Sequence, residues 1–158
     1  MIEEKKMGDL TILVNDCPHM PYWGSLKEAV VQLSLAHEEG HDTILVFDEA
    51  YKLVGTLSQK NILDGLGVGR RALRKKGFVV SWEYLLGGKT EETLSRSVKK
   101  YMSKPRATIS TEEDILEACR TMSEKGVTIL PVTDGERIFG IVRIGDLFRH
   151  IANTILRV

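Results

Sequence analysis

The chain repeats itself, and a repeat of this length dictates the architecture. "TILVFDEAYKLVGTLSQKNIL" from Thr43 and "TILPVTDGERIFGIVRIGDLF" from Thr128 match without a gap. Thr-Ile-Leu falls on Thr-Ile-Leu, Lys52 on Arg137, Leu53 on Ile138, Gly55 on Gly140, Leu57 on Val142 and Asn61 on Asp146. Upstream, after a one-residue shift, Ser25–Gly40 pairs with Thr111–Gly126. Both segments read as helices. Ser25 with Glu28, and Thr111 with Asp114, form capping-box patterns. Leu26, Ala29, Val30, Leu33 and Ala36 make one apolar face, and Ile115, Leu116, Cys119 and Met122 make another. Gly40 and Gly126 follow as left-handed caps.

Each half therefore predicts a helix, a short buried strand, a turn, a second strand and a second helix. The turns fall at Asp48-Glu49-Ala50 and at Asp134-Gly135. "RATIS" (106–110) adds an extended piece ahead of the second half, and "MPYWGS" is its counterpart ahead of the first. One unit of this size leaves a sheet face open, and two packed together bury it. The expected fold is α/β: two β-α-β-β-α repeats related by an internal pseudo-two-fold. The first repeat with its N-terminal segment takes residues 1–63, an inserted arm 64–97 and the second repeat 98–158.

Composition narrows the function. Lys plus Arg total 22 and Asp plus Glu total 22, so the surface as a whole is no nucleic-acid or membrane footprint. No apolar run approaches the roughly 20 residues that span a bilayer. The first six residues, MIEEKK, contain no apolar signal region, and the cysteines Cys17 and Cys119 make no disulfide framework. A reducing cytoplasm is the expected compartment.

The arm carries a basic run, "GRRALRKKG" (69–77), then "FVVSWEYLL" (78–86). A charge run is usually a solvated helix face, so nucleic acid is not the expected partner. "GGKT" (87–90) fails as a phosphate-binding loop because Glu83 stands where its leading glycine belongs. "GLGVG" (65–69) lacks the spacing of a dinucleotide fingerprint. Cys17 and His19 in "CPHM" have no second cluster to complete a metal site. No nucleophile–base set and no carboxylate pair can be assembled, so the chain reads as non-enzymatic with no required cofactor.

A β-α-β-β-α unit closing on Gly-h-h-[Ser/Thr]-x-x-Asp, present twice, resembles the CBS domain in tandem, the CBS pair or Bateman module. The second half carries the resemblance through "VKKYMSKPRATIS", "TILPV" and "GIVRIGDL"; the first half carries it from Ser25 to about Leu63. The resemblance implies a regulatory sensor, not an enzyme. It implies an adenosine-containing ligand (AMP, ADP, ATP or S-adenosylmethionine) in clefts between the repeats, homodimerisation through helices, and a downstream protein partner. At such a junction the helix N-terminus suits a phosphate, the hydroxyl bonds a phosphate or ribose oxygen, and the aspartate accepts from ribose.

Neither copy of the motif is complete. The first, "GTLSQKN", has Ser58 in the hydroxyl position and Asn61 in place of the aspartate; the second, "GIVRIGD", keeps Asp146 but has Arg143 for the hydroxyl. The resemblance implies that Ser58 and Asn61 face Thr108, Ile109, Pro131 and Val132, while Arg143 and Asp146 face Tyr22, Trp23, Leu45 and Val46. Arg143 is either a bidentate phosphate partner or the mate of Asp146. Ser58 and Asp146 serve equally as helix caps. A ligand-free dimerisation or docking module is the alternative reading, and a nucleic-acid-associated regulator is a lesser one.

Overall fold

The computed structural model describes residues 6–69 and 90–157. The basic run beyond Gly69, "FVVSWEYLL", and Gly87 to Lys89 lie outside the described residues.

The first repeat contains β2 (His19–Pro21), α2 (Leu26–Ala36), β3 (Thr43–Phe47), β4 (Leu53–Ser58) and α3 (Gln59–Leu66). Before it come α1 (Met7–Leu10) and β1 (Ile12–Leu13). After it comes α4 (Thr90–Leu94), then the second repeat: β5 (Ile109–Ser110), α5 (Ile115–Lys125), β6 (Ile129–Asp134), β7 (Arg137–Arg143) and α6 (Ile144–Leu156).

The two repeats have one fold. β2 runs parallel to β3 and β3 antiparallel to β4; β5 runs parallel to β6 and β6 antiparallel to β7. The registers agree residue for residue. Thr43 faces Ser58 as Ile129 faces Arg143, Val46 faces Gly55 as Val132 faces Gly140, and Met20 faces Val46 as Ile109 faces Val132. Both hairpins carry their irregularity at the same place, after Val46 and after Val132. The ungapped alignment is therefore right for β4 and β7 but one residue out for β3 and β6. Thr43 is the counterpart of Ile129, not Thr128, because the first hairpin loop is one residue longer.

The second helix also starts later than its sequence pattern suggests. Asp114, not Thr111, caps α5, accepting from the Glu117 amide at 2.8 Å. Its carboxylate sits immediately ahead of Ile115, and a charged acceptor makes the stronger cap. Ser25 caps α2 as expected, accepting from the Glu28 amide at 3.2 Å. Leu26, Ala29 and Leu33 then bury against the first sheet, and Ala118 and Met122 against the second.

The pseudo-two-fold passes between the hairpin tips. Ile138 N–H donates to the Tyr51 carbonyl at 3.0 Å, and Leu53 N–H donates to the Glu136 carbonyl at 3.3 Å. Leu53 and Ile138 are counterparts, and so are Tyr51 and Glu136, so one bond is the image of the other. Lys52 bridges its own counterpart Arg137 across the axis. Leu45 and Phe47 of β3 meet Ile138 and Ile141 of β7 in a shared core that also buries Cys17.

The chain exchanges its lead-in segments. β1, ahead of the first repeat, pairs antiparallel with β7 of the second, and Met7 is fully buried in the second repeat's core. Ser103, ahead of the second repeat, bridges Thr56 of β4, and Val98 is fully buried in the first repeat's core. This explains the glycine common to both motif copies. A Cβ on Gly140 would sit 2.0 Å from the Ile12 carbonyl oxygen; one on Gly55 would sit 3.0 Å from the Ser103 carbonyl oxygen and 2.6 Å from Met102 Sδ. Only glycine lets the crossing backbone lie this close.

Candidate functional site

Two strand-to-helix junctions carry the motif, and they differ in how their polar groups are spent. At the first, Ser58 caps α3. Its Oγ accepts from the Asn61 amide at 3.1 Å, and Asn61 Oδ1 accepts from the Ser58 amide at 2.9 Å and from its hydroxyl at 3.1 Å. Asn61 Nδ2 donates to Ser103 Oγ at 3.2 Å. This is a closed capping box tied to the crossing segment. The surface beside it is a cavity of about 470 Å³ between α2 and α3, lined mainly by Val30, Leu33, Ile62 and Leu63, with Gln59 and His37 at its polar side.

At the second junction no side chain caps α6. Arg143 Nε donates to Asp146 Oδ2 at 3.2 Å, and Arg143 Nη1 donates to the Glu39 carbonyl at 3.2 Å. The ion pair is about a quarter exposed, at 32% and 21%. Beside it opens a cavity of about 330 Å³. One wall is the exchanged segment, with Asp9, Thr11 and Ile12; the other is the first turns of α6, with Arg143, Asp146, Arg149, His150 and Asn153. Two guanidinium groups and an imidazole converge there on the positive end of a 13-residue helix. Thr11 gives its hydroxyl proton to the Met7 carbonyl at 2.7 Å, leaving an oxygen lone pair free to accept.

The remaining sequence-assigned residues lie elsewhere. Leu45 is buried in the core between the repeats, Val46 in the first repeat's core, and Ile109 and Val132 in the second's. Pro131 is buried in β6 opposite Ile141, and Thr108 is exposed ahead of β5. Tyr22 and Trp23 pack edge to face at 5.1 Å, and the Tyr22 hydroxyl donates to Glu49 in the first hairpin loop. That bond lowers the Glu49 carboxyl and raises the Tyr22 phenol from their ordinary ranges. Tyr22 is held by the hairpin loop at Glu49 and by Ser97 and Lys99 of the crossing segment. Arg143 is at the far end of β7, six residues beyond the axis, or about 20 Å at roughly 3.3 Å per residue. The cavity at Arg143–Asp146 has Asp9, Thr11 and Ile12 where the sequence placed Tyr22 and Trp23. The lead-in strand is the earlier segment, and its signal was the shared spacing of Met7 with Leu10 and Val98 with Tyr101.

Among the described residues no group of three or more His, Cys, Asp or Glu could hold a metal ion. No described helix is long and apolar enough to cross a membrane.

The paired hairpins, the exchanged lead-in segments and the two glycine-led strand-to-helix junctions make up a tandem CBS-type fold. Residues 98–153 match the family model of the CBS domain. That segment is about a third of the chain, and the chain as a whole has the fold of the CBS-pair proteins. A CBS domain-containing protein of unknown function from Bacillus anthracis superimposes with a TM-score of 0.72 at 19% identity, covering 96% of each chain. CBSX2 in complex with AMP superimposes with a TM-score of 0.67 at 22% identity, covering 96% of this chain and 98% of the other. In sequence, an uncharacterized 33.4 kDa protein in a ribosomal RNA operon of Thermofilum pendens is 25% identical over 137 residues, 87% of this chain. The chain spans 37% of that relative's length.

Proposed function

We propose that this protein is a non-enzymatic regulatory module that binds one adenosine-containing ligand in the cavity at Arg143, Asp146 and Thr11. The observation that carries this reading is the uncapped start of α6 opening onto a cavity with Arg143, Arg149, His150 and a free carboxylate edge on Asp146. An exposed helix N-terminus with two guanidinium groups suits a phosphate, and Asp146 suits ribose hydroxyls. The AMP complex of CBSX2, a chain of the same fold, supports the ligand class.

The module works as a cytoplasmic homodimer that signals to a downstream protein. α6 leaves Ile144, Phe148, Ile151 and Ile155 exposed on one face, and α2 leaves Val31 and Leu35 exposed on the first repeat. Patches of this kind are closed by two-fold association.

Thermal shift tests the ligand. A nucleotide at a hundred times its Kd adds about 2.7 kcal/mol, which raises Tm by roughly 5–10 °C for a chain of this size. The expected pattern is a shift with AMP, ADP or ATP that Asp146→Ala abolishes and Ser58→Ala leaves in place. A second reading, a docking module with no ligand, is favoured by the saturated Ser58–Asn61 junction and the mutual Arg143–Asp146 bond. It takes over when millimolar nucleotide gives no shift.

A further inference from the structure

We propose that Arg143 is a tether between the repeats: it holds the end of the first repeat's helix against the second repeat's cavity, and a phosphate group entering that cavity releases it. The proposal rests on the ligand reading above and adds its mechanical consequence.

The two repeats differ where this tether forms. α5 ends at Lys125 and is capped at once by Gly126. α2 ends at Ala36 but continues through a 3₁₀ turn, His37–Glu39, before its left-handed cap at Gly40. That 3₁₀ turn, whose counterpart Ser123–Lys125 stays α-helical in the second repeat, supplies the Glu39 carbonyl that accepts from Arg143 Nη1 at 3.2 Å. The counterpart of Arg143 is Ser58, whose hydroxyl stays in its own capping box. The contact is thus one-sided in an otherwise symmetric molecule. Gly40, with a φ of +82°, turns the chain at this point.

The tether uses two of the five N–H donors of Arg143. Nε is held by Asp146 and Nη1 by a neutral carbonyl. A phosphate that takes the guanidinium edge bearing Nη1 binds through two adjacent N–H groups and competes with the Glu39 carbonyl, and for the same charged donor an anion is a stronger acceptor than a neutral carbonyl. A phosphate in the cavity therefore draws Arg143 from Glu39. The carbonyl at the end of the 3₁₀ turn then loses the cation that satisfied it. The turn is held otherwise by the amide bonds of Gly40 to the His37 carbonyl at 2.9 Å and of His41 to the Ala36 carbonyl at 3.3 Å. Those two amides report on the tether.

The test is NMR-detected amide exchange on the full chain, with AMP as the probe and its occupancy measured by calorimetry. Arg143→Gln should speed exchange at Gly40 and His41 about tenfold without nucleotide, the factor carried by one hydrogen bond to a charged group near the low end of its range. Saturating AMP should speed the same amides in the wild-type chain and add nothing in Arg143→Gln. Unchanged exchange in Arg143→Gln overturns the tether, and slower or unchanged exchange in AMP-saturated wild type overturns the release. If calorimetry finds no AMP binding, the ligand reading and the release fall together, and Arg143→Gln still decides the tether.

Discussion

Met7→Ala tests the exchange of segments most directly. Met7 lies 102 or more residues from every other fully buried member of the core it fills, which includes Ile109, Leu130, Val142 and Leu147. It is fully buried there. The substitution removes Cγ, Sδ and Cε. At about 0.8 kcal/mol per methylene-sized group that is about 2.4 kcal/mol of transfer free energy. Incomplete collapse of the cavity raises the loss to about 3 kcal/mol, inside the roughly 2–5 kcal/mol range for Met→Ala in cores. Urea unfolding followed by far-UV circular dichroism should show the midpoint fall by about 1–2 M. The transition should remain single, because Val98 ties the first repeat to the linker as Met7 ties the second to the N-terminus. Leu13→Ala, in the same segment but half exposed, should cost under about 1 kcal/mol. A loss below about 1 kcal/mol for Met7→Ala would refute the idea that the N-terminal segment completes the second repeat's core.

Further outcomes follow from single contacts. Gly140→Ala places a Cβ 2.0 Å from the Ile12 carbonyl and should expel β1, so amide protection at Ile12 and Leu13 should vanish while β6–β7 protection persists. Ser58→Ala removes the α3 cap and should cost about 1 kcal/mol in urea titrations, with no effect on the Arg143 cavity. Phe148→Glu puts a charge in the apolar stripe of α6, and sedimentation equilibrium should report the 17.7 kDa monomer where the wild type gives about twice that mass. Burial and the neighbouring Asp16 push the Cys17 thiol up to about 11, so its alkylation should be negligible at pH 8 and climb about tenfold per pH unit up to that value. Cys119 is less buried and should label first. The sign for stability follows from the same shift: Cys17 ionises in the unfolded chain before it does in the folded one, so stability falls as pH rises from about 9 toward 11.

The repeat was legible because it is written in patterns that local physics enforces. A cap ahead of an apolar helix face, a glycine behind it and alternating strands on either side of a turn fix the elements whichever neighbours they find. What the pattern could not fix was phase. Thr43-Ile44-Leu45 and Thr128-Ile129-Leu130 look identical, yet the ladder pairs Thr43 with Ser58 and Ile129 with Arg143. A one-residue difference in a loop leaves no mark on composition, but it sends each side chain to the opposite face. The same holds at the start of α5, where Thr111 and Asp114 are both good caps and the charged acceptor, Asp114, takes the position.

The site was harder because its walls are assembled by a crossing that sequence order hides. A reader expects a segment to complete the repeat that follows it. Here Thr11 and Ile12 complete the wall beside Arg143, and Ser103 completes the corner beside Asn61. Besides the shared Met7–Leu10 and Val98–Tyr101 spacing, the paired glycines hint at it: in both copies a backbone must pass where a side chain would stand, and the sequence does not say whose backbone. Once the crossing is known, the two incomplete motifs cease to be equivalent. Ser58 and Asn61 bond each other and the crossing strand, so that corner is sealed by neutral groups. Arg143 and Asp146 keep opposite charges at the mouth of a cavity, and the arginine also reaches across to Glu39. The two copies have therefore diverged into one corner closed by neutral hydrogen bonds and one that keeps an ion pair at the mouth of a cavity.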